Sequence, residues 1–386
     1  MHIIDSIRGV CDLGTSVAPI LGFLSTLVLC VLAIKTTSWH GRFSFDSTEG
    51  VQKFHTLPTS RIGGIPIVLG LLIALYWTTP ETRTLLHPLL LAGIPAFLFG
   101  TLEDLTKRVG VPQRLFATMA SGLIACLLTG YSLTRVDVVG LDTLLAWTPL
   151  ALLFTAFAIG GIANAINIID GFNGLASSSV TFAFTGFALM AYSVGDQQLA
   201  SLAILFAAVS LGFFVVNWPF GKIFLGDGGA YSLGFALGWV AVLLVSRNPS
   251  VSPFGALLVC VHPVTEVLFS IYRRKVRHSK AGMPDSLHFH SLIKRRYLSR
   301  WLNTHNDTLR NSMTGILVGS ITLAAVVIAQ FTLTSTLLSL IGLLLLSLGY
   351  VALYARIVRF AWCSPISFLF VNPRLDQKKQ GKAAYP

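Results

Sequence analysis

Residues 164–178 read NAINIIDGFNGLASS and set Asn164, Asn167, Asp170 and Asn173 three apart in an apolar stretch, with glycines at 171 and 174. Each step of three residues turns a helix back by about 60°. Asn164 and Asn167 therefore share a face, and Asp170 begins to rotate away from it. The two glycines loosen or end the helix and let a ligand approach the backbone. A second segment, FLGDGGAYSLG, places Asp227 among Gly226, Gly228 and Gly229. A glycine-rich turn opening onto a helix N-terminus suits phosphate through free backbone N–H groups. Carboxylate and amide oxygens beside it suit Mg²⁺, which takes few protein ligands and shares the substrate's phosphates. Neither segment has the spacing of a P-loop or a dinucleotide fingerprint. On chemistry alone, the two describe a magnesium–diphosphate site.

Further acids and histidines fall into short groups: Glu103 and Asp104 in GTLEDLTKRVGVPQR, and Asp285, His288 and His290 in GMPDSLHFHSLIKRR. Glu266, in VHPVTEVLFSIYRRK, lies seven residues before Arg273, and is read either as a structural partner for an arginine or as a member of the site. His87 and His305 carry no pattern. A single acid at a helix end is usually a cap or an interfacial residue. Several polar groups from distant segments that open on one membrane face are a functional site by default.

The elements that must position these residues follow from composition. The chain has 386 residues, 54% hydrophobic and 11% charged, with a mean hydropathy of +0.73. Soluble domains carry about 25% charged residues, so this is the composition of a bilayer protein. Apolar runs long enough to span recur at 16–36, 63–79, 85–101, 114–130, 144–163, 175–193, 198–217, 229–246, 251–272, 313–333 and 336–355. Backbone groups in hydrocarbon must be satisfied within the segment, so eleven transmembrane helices and an all-α polytopic fold are expected. The start, MHIIDSIRGVCDLGTS, lacks the pattern of a cleavable signal peptide, and the first span reads as an uncleaved anchor. With the N-terminus outside, inward loops collect 24 of the 28 Lys and Arg residues. The positive-inside rule then puts the C-terminus in the cytoplasm. Residues 1–360 form one membrane domain, with loops 37–62, 101–114, 164–175, 217–229 and 273–312 building the site, and 361–386 form a polar cytoplasmic tail. The formal charge of +12 needs no nucleic acid to explain it, because topology alone demands basic inner loops. The five cysteines are scattered without a C-x-x-C pair, which argues against a disulfide framework and a zinc site.

Five segments occur in an order that resembles the polytopic polyprenyl-phosphate sugar-1-phosphate transferases: KFHTLPTSRIGGIPI, GTLEDLTKRVGV, NAINIIDGFNGLA, FLGDGGAYSLG and PDSLHFH. That superfamily includes the enzymes that start peptidoglycan lipid intermediates and many O-antigens. The resemblance implies transfer of sugar-1-phosphate from a UDP-(N-acetyl)sugar to undecaprenyl phosphate, with Mg²⁺ required and Mn²⁺ as a substitute. It implies a bacterial inner-membrane enzyme, contacting membrane lipids, with its site on the cytoplasmic face and a homodimer as an open option. By resemblance, Asp227 holds the metal with Asn167 nearby. Asn173 corresponds to a position that touches uracil; Asn167, Lys107, His288 and His290 meet the donor and its phosphates. Glu103, Asp104 and Asp170 are the catalytic acids, and Lys53, His55 and Arg61 lie at the entrance for the lipid phosphate.

Three segments depart from the family pattern. Glu103 replaces the first aspartate of a pair, which makes Asp104 the more essential; Asn173 replaces the second aspartate of D-G-x-D-G-L; Ser286 and Ser291 stand where an Arg and a third His are common. These changes fit initiation of a surface polysaccharide better than peptidoglycan synthesis. Single displacement by the acceptor phosphate is the expected mechanism, and double displacement through an aspartyl-phosphate is its rival. The alternative class is a transporter or lipid-linked sugar flippase. Transporters build midplane sites from broken helices in repeated halves, whereas no internal repeat is evident here and the acids gather at one face. A non-catalytic lipid-phosphate scaffold would require damaged acid positions, yet Asp104, Asp170 and Asp227 are intact.

Overall fold

A computed structural model describes residues 2–14, 16–46, 58–276, 287–299, 302 and 306–359. Lys53, His55, Asp285, Ser286, His305 and the 361–386 tail lie outside the described residues. The described chain is helical throughout, and its only β-pairing is two isolated bridges, Phe45 with Ser60 and Ser60 with Ile223. In order, the N-terminal helices are α1 (His2–Gly14), α2 (Val17–Lys35), α3 (Thr37–Ser44) and α4 (Gly64–Leu75). They are followed by α5 (Pro80–Ala92), α6 (Ile94–Thr106), α7 (Val111–Thr129), α8 (Leu141–Leu145) and α9 (Thr148–Ile169). Next come α10 (Leu175–Ser193), α11 (Gln197–Asn217), α12 (Gly226–Arg247), α13 (Pro253–Val259) and α14 (Val261–Val276). Short α15 (Phe289–Leu292) runs into a π-helical turn, α16 (Ile293–Leu298), before α17 (Asp307–Phe331) and α18 (Thr336–Val358).

Eight of these helices are long and apolar enough to cross a bilayer, and up to ten spans result if each bent pair counts as one. The bent pairs are α5–α6, broken by 46°, and α13–α14, broken by 81°. The protein is a multi-pass membrane protein. Each of the eleven expected apolar runs falls on one of these helices or pairs, but α4 has only 12 residues, about 18 Å of helix, and is short for a span. Polar caps mark where several helices begin: Asp196, Asn306 and Ser335 accept from Leu199 N, Leu309 N and Leu338 N.

Helix α12 is the axis of the bundle and is buried along nearly its whole length. Helices in lipid gain little from hydrophobic burial and associate through close packing of small residues. At Gly234 of α12, an added Cβ would stand 2.6 Å from the Cα of Ala163 on α9. The packing fixes α12 so that Asp227, in its first turn, and Arg247, in its last, face opposite ends of the bundle, about 30 Å apart.

At the Arg247 end, a clasp closes the bundle. Arg247 Nε donates to Asp196 Oδ2 at 2.8 Å, and its Nη2 donates to Asp196 Oδ1 at 3.0 Å and Gln198 Oε1 at 2.8 Å. Burial alone would raise the Asp196 carboxyl, but the Arg247 bonds and the Leu199 amide outweigh it and hold the group below the ordinary carboxylate range. A depressed carboxyl adds stability above its unfolded pKa of about 4 and loses it as pH falls through the folded value. Asp196→Asn should therefore lower the melting temperature in detergent at pH 7, at a cost on the order of 2 kcal/mol. The gap from the parent protein should close below about pH 4. A gap unchanged at acidic pH would show that the clasp does not act through charge.

Candidate active site

At the other end of α12, three segments with no regular structure of their own are laced together by backbone. Residues 59–64 run between 44–46 and 223–225: Arg61 N donates to Ser44 O at 2.9 Å, and Phe224 N donates to Ser60 O at 2.8 Å. Gly63 N and Gly64 N donate to Phe224 O and Leu225 O, each at 3.0 Å. Gly64 then lies so close to Gly229 that a Cβ would overlap the Gly229 backbone nitrogen. This lacing delivers the Arg61 side chain to the start of α12.

Arg61 is the centre of a carboxylate cluster. Its Nη2 donates to Asp227 Oδ1 at 2.8 Å; Nε lies 3.3 Å from Asp104 Oδ1 and Nη1 lies 3.5 Å from Asp46 Oδ1. Arg114, from the first turn of α7, pairs with Asp227 Oδ2 and sits over the Tyr231 ring. Asn167, on the last turn of α9, donates through Nδ2 to Asp227 Oδ1 at 3.1 Å and accepts from Tyr231 OH at 3.2 Å. Asp170 caps the end of α9 and accepts from Gly226 N. Loss of water around its carboxyl pushes Asp170 up to about 7, against the opposing pull of Arg61. Lys107 Nζ donates to Asp104 O at 2.6 Å, and burial, then the nearby Arg61 charge, holds its ammonium below the usual lysine value. Among the described residues, four carboxylates thus face two guanidiniums and one ammonium.

The α12 N-terminus departs from the sequence expectation. Its amides were expected to be free for phosphate, but Asp104 Oδ1 accepts from Asp227 N at 2.9 Å and Asp104 Oδ2 accepts from Gly228 N at 2.8 Å. Asp170 takes the Gly226 amide. Two carboxylates therefore fill the anion position that the helix dipole creates. Gly226 has φ +71°, and a Cβ there would overlap the Arg61 carbonyl, so only glycine allows this approach.

The acidic pair separates by direction. Asp104 points into the cluster and is buried, whereas Glu103 Oε2 accepts from Val109 N at 2.7 Å and fastens the turn after α6. Asn173 is also turned away: its Nδ2 donates to Ser312 Oγ at 3.2 Å, inside a latch that includes Trp218 Nε1 bonded to Ser312 O at 3.1 Å. The Gly174 amide, at the start of α10, is bonded to Asn217 Oδ1 at 2.6 Å. His290 meets the Asp170 loop directly, with its ring 5.2 Å from the Phe172 ring and its Nε2 3.1 Å from where a Cβ on Gly171 would lie. His288 stacks on His290 at 5.4 Å. Glu266 pairs with His288 and not with an arginine: His288 Nδ1 lies 2.9 Å from Glu266 Oε1.

Sequence reasoning missed Asp46, Arg114 and Tyr231. Arg114 sits in GTLEDLTKRVGVPQR, at the end of the segment that holds the acidic pair, and its basic charge near the acids in sequence was the available signal. Asp46 and Tyr231 carried none.

Asp227 and Asn167 supply hard oxygen donors of the kind Mg²⁺ takes, and two guanidiniums already hold positive charge against Asp227. No group of three or more His, Cys, Asp or Glu among the described residues is arranged to hold a metal by itself. A divalent cation here would complete its shell with water and substrate phosphate oxygens, as Mg²⁺ commonly does.

The profile of glycosyl transferase family 4 matches residues 86–245, which include Asp104, Arg114, Asn167, Asp170 and Asp227. The phospho-N-acetylmuramoyl-pentapeptide-transferase of Geobacillus kaustophilus is 32% identical over 248 residues, covering 59% of this chain and 74% of that protein. The chain belongs to glycosyl transferase family 4. Other members it resembles are a probable undecaprenyl-phosphate N-acetylglucosaminyl 1-phosphate transferase of Bacillus subtilis, 26% identical over 71% of this chain and 75% of that protein. An undecaprenyl-phosphate alpha-N-acetylglucosaminyl 1-phosphate transferase of Thermotoga maritima is 28% identical over 73% and 81% of the two chains.

For this family 4 member, Asp104→Asn turns an NH₂ group toward one of two backbone N–H donors. The buried donor left without an acceptor costs about 1–3 kcal/mol. Asp104→Asn should therefore lower the melting temperature and transferase activity together. Asp227→Asn, whose carboxylate caps no amide but pairs with Arg61 and Arg114, should abolish activity whatever its thermal shift. An Asp104→Asn melting temperature equal to the parent's would remove the capping role from Asp104.

Proposed function

We propose that this protein transfers sugar-1-phosphate from a UDP-(N-acetyl)sugar to undecaprenyl phosphate, releasing UMP and starting a cell-surface polysaccharide. The observation that carries the reading is the Asp46–Asp104–Asp170–Asp227 cluster around Arg61, built from segments far apart in sequence and lying at one end of the bundle. Relatives whose names state this transfer share the matched region. In the proposed topology the chain crosses eleven times, with α4 and its flanking turns as the short span. The cluster then faces the cytoplasm of a bacterial inner membrane, and residues 1–360 form one membrane domain.

In the reaction, an oxygen of the acceptor phosphate forms a bond to the β-phosphorus of the donor. The bond from that phosphorus to the bridging oxygen breaks, and UMP leaves with the electron pair. The acceptor phosphate, with a second pKa of about 6, is already a nucleophile at neutral pH. Positioning and charge stabilisation therefore dominate catalysis. Asp227 and Asn167 would hold Mg²⁺, which when bound neutralises the diphosphate and the leaving group. Arg61 and Arg114 are the cations that would meet phosphate oxygens once Asp227 engages the ion. Asp104 fixes the position of Asp227 through the α12 amides. Asp170, with its raised carboxyl, can hold a proton at the edge of the site. The aspartyl-phosphate route would require one of these acids to leave its amide partners, and so single displacement is the simpler reading.

The test is UMP release by purified protein across a panel of UDP-sugars. Release should need both undecaprenyl phosphate and Mg²⁺, stop with chelator, and fall by at least about 100-fold in Asp227→Ala, the scale of losing a central electrostatic group. Release without lipid, or none with any donor from folded protein, would reject the reading and return the transporter class to consideration.

A further inference from the structure

The histidine loop owes its place to a buried carboxylate and to the last helix, both outside the residues that the family profile matches. Helix α18 is mostly a lipid-facing element: Leu337, Leu344, Leu345 and Leu348 are all exposed. Its final two turns are different. Tyr350, Tyr354 and Ile357 are buried, and each lies where the chain around His288 is held. Tyr350 OH donates to Glu266 Oε2 at 2.6 Å, and the Tyr350 ring lies 4.8 Å from that of Phe289. Tyr354 OH donates to Leu287 O at 3.1 Å. From the other side, Arg296 Nη1 donates to the terminal carbonyls of α18, Ile357 O at 3.1 Å and Val358 O at 2.7 Å. An otherwise peripheral helix thus docks the histidine loop at several points.

Glu266 is the junction. It is fully buried on α14, and three donors converge on it: the His288 ring, the Phe289 amide and the Tyr350 hydroxyl. A carboxylate accepts and does not donate, so the ring proton of His288 sits on Nδ1 and leaves Nε2 as the acceptor of the neutral ring. Carboxylates behind histidines set tautomer and ring orientation in the same way at metal sites. From His288 the contacts continue to His290 and on to Gly171 and Phe172, beside Asp170. Around Glu266 stand the titratable groups His262, one turn earlier on α14, with His288 and His290 from the loop, and Tyr350 and Tyr354 from α18, the last bonded to Arg273.

We propose that Glu266, braced by Tyr350, is a positioning residue for the transferase reaction: it fixes the His288 tautomer and makes the last helix a working part of the active site. The inference rests on the transferase reading above. It differs from a packing role in one measurable respect, because a residue that acts only through His288 has no effect once His288 is gone.

The experiment is a double-mutant cycle on the full-length protein, with donor and acceptor kinetics and thermal melts for each variant. Glu266→Gln and Tyr350→Phe should each lower kcat/KM for the donor, by at least about tenfold and about threefold, a partial loss typical of positioning groups. His288→Asn should lower it further. In the His288→Asn background, adding Glu266→Gln or Tyr350→Phe should cause no additional loss. Losses that multiply in the double variants would overturn the inference and leave Glu266 as packing. If Glu266→Gln does not fold, Tyr350→Phe, which removes only a hydroxyl, carries the same test alone. Turnover by the parent with multiplying losses would reject this inference only; no turnover by the parent would reject it together with the transferase reading.

Discussion

Arg61 is the group on which the rest of the site depends, because its guanidinium lies against carboxylates of three different segments at once. Several buried acids so close together would repel strongly in a medium of low dielectric. A planar fork with donors in fixed directions can meet them simultaneously, which a lysine ammonium at the same place could not do as well. The backbone lacing of residues 59–64 onto 44–46 and 223–225 explains how Arg61 is held there without a helix beneath it. Remove that charge, and the start of α12, the end of α6 and the end of α9 would have like charges facing one another.

The cluster also shows how a helix N-terminus can serve as a fixed support. Asp104 and Asp170 take the first amides of α12, so the dipole is neutralised by the protein's own acids before any ligand arrives. Asp227 is thereby held with its carboxylate turned out toward Arg61, Arg114 and Asn167. Rigid support of one side chain by another is the kind of preorganisation that phosphoryl transfer favours, since proteins contribute mainly position and charge to it. The two ends of α12 play different parts: one bears the candidate chemistry, and the other is tied shut by the Asp196–Arg247 clasp.

The second half of the site is held differently. The described chain around His288 and His290 is short helical turns, α15 and α16, and side chains from α14 and α18 hold it: Glu266 to His288, and Tyr354 to Leu287. It meets the acidic half through His290 against Gly171 and Phe172 and through Lys294 over the Phe172 ring. The latch formed by Asn173, Trp218 and Ser312 keeps α17 against the Asp170 loop, and it uses the amide Nδ2 donor that an aspartate at position 173 would lack.

The amino-acid sequence by itself determined the membrane class, the helical fold and the polar segments from which the site is built. Long apolar runs have one solution in hydrocarbon, and acids are rare enough in such a chain to stand out. It also marked Asp104, Asp170 and Asp227, whose glycine-rich or helix-end settings are local properties. Only the tertiary structure decided what those acids touch. That Asp104 caps α12 while Glu103 fastens a turn depends on which way adjacent side chains leave one helix end. That Arg114 and Asp46 join the cluster, and that Glu266 finds His288 and Tyr350, depends on contacts between segments far apart in the chain. Spacing along a helix carries no information about partners on another helix, so those pairings became visible only when packing brought the helices together.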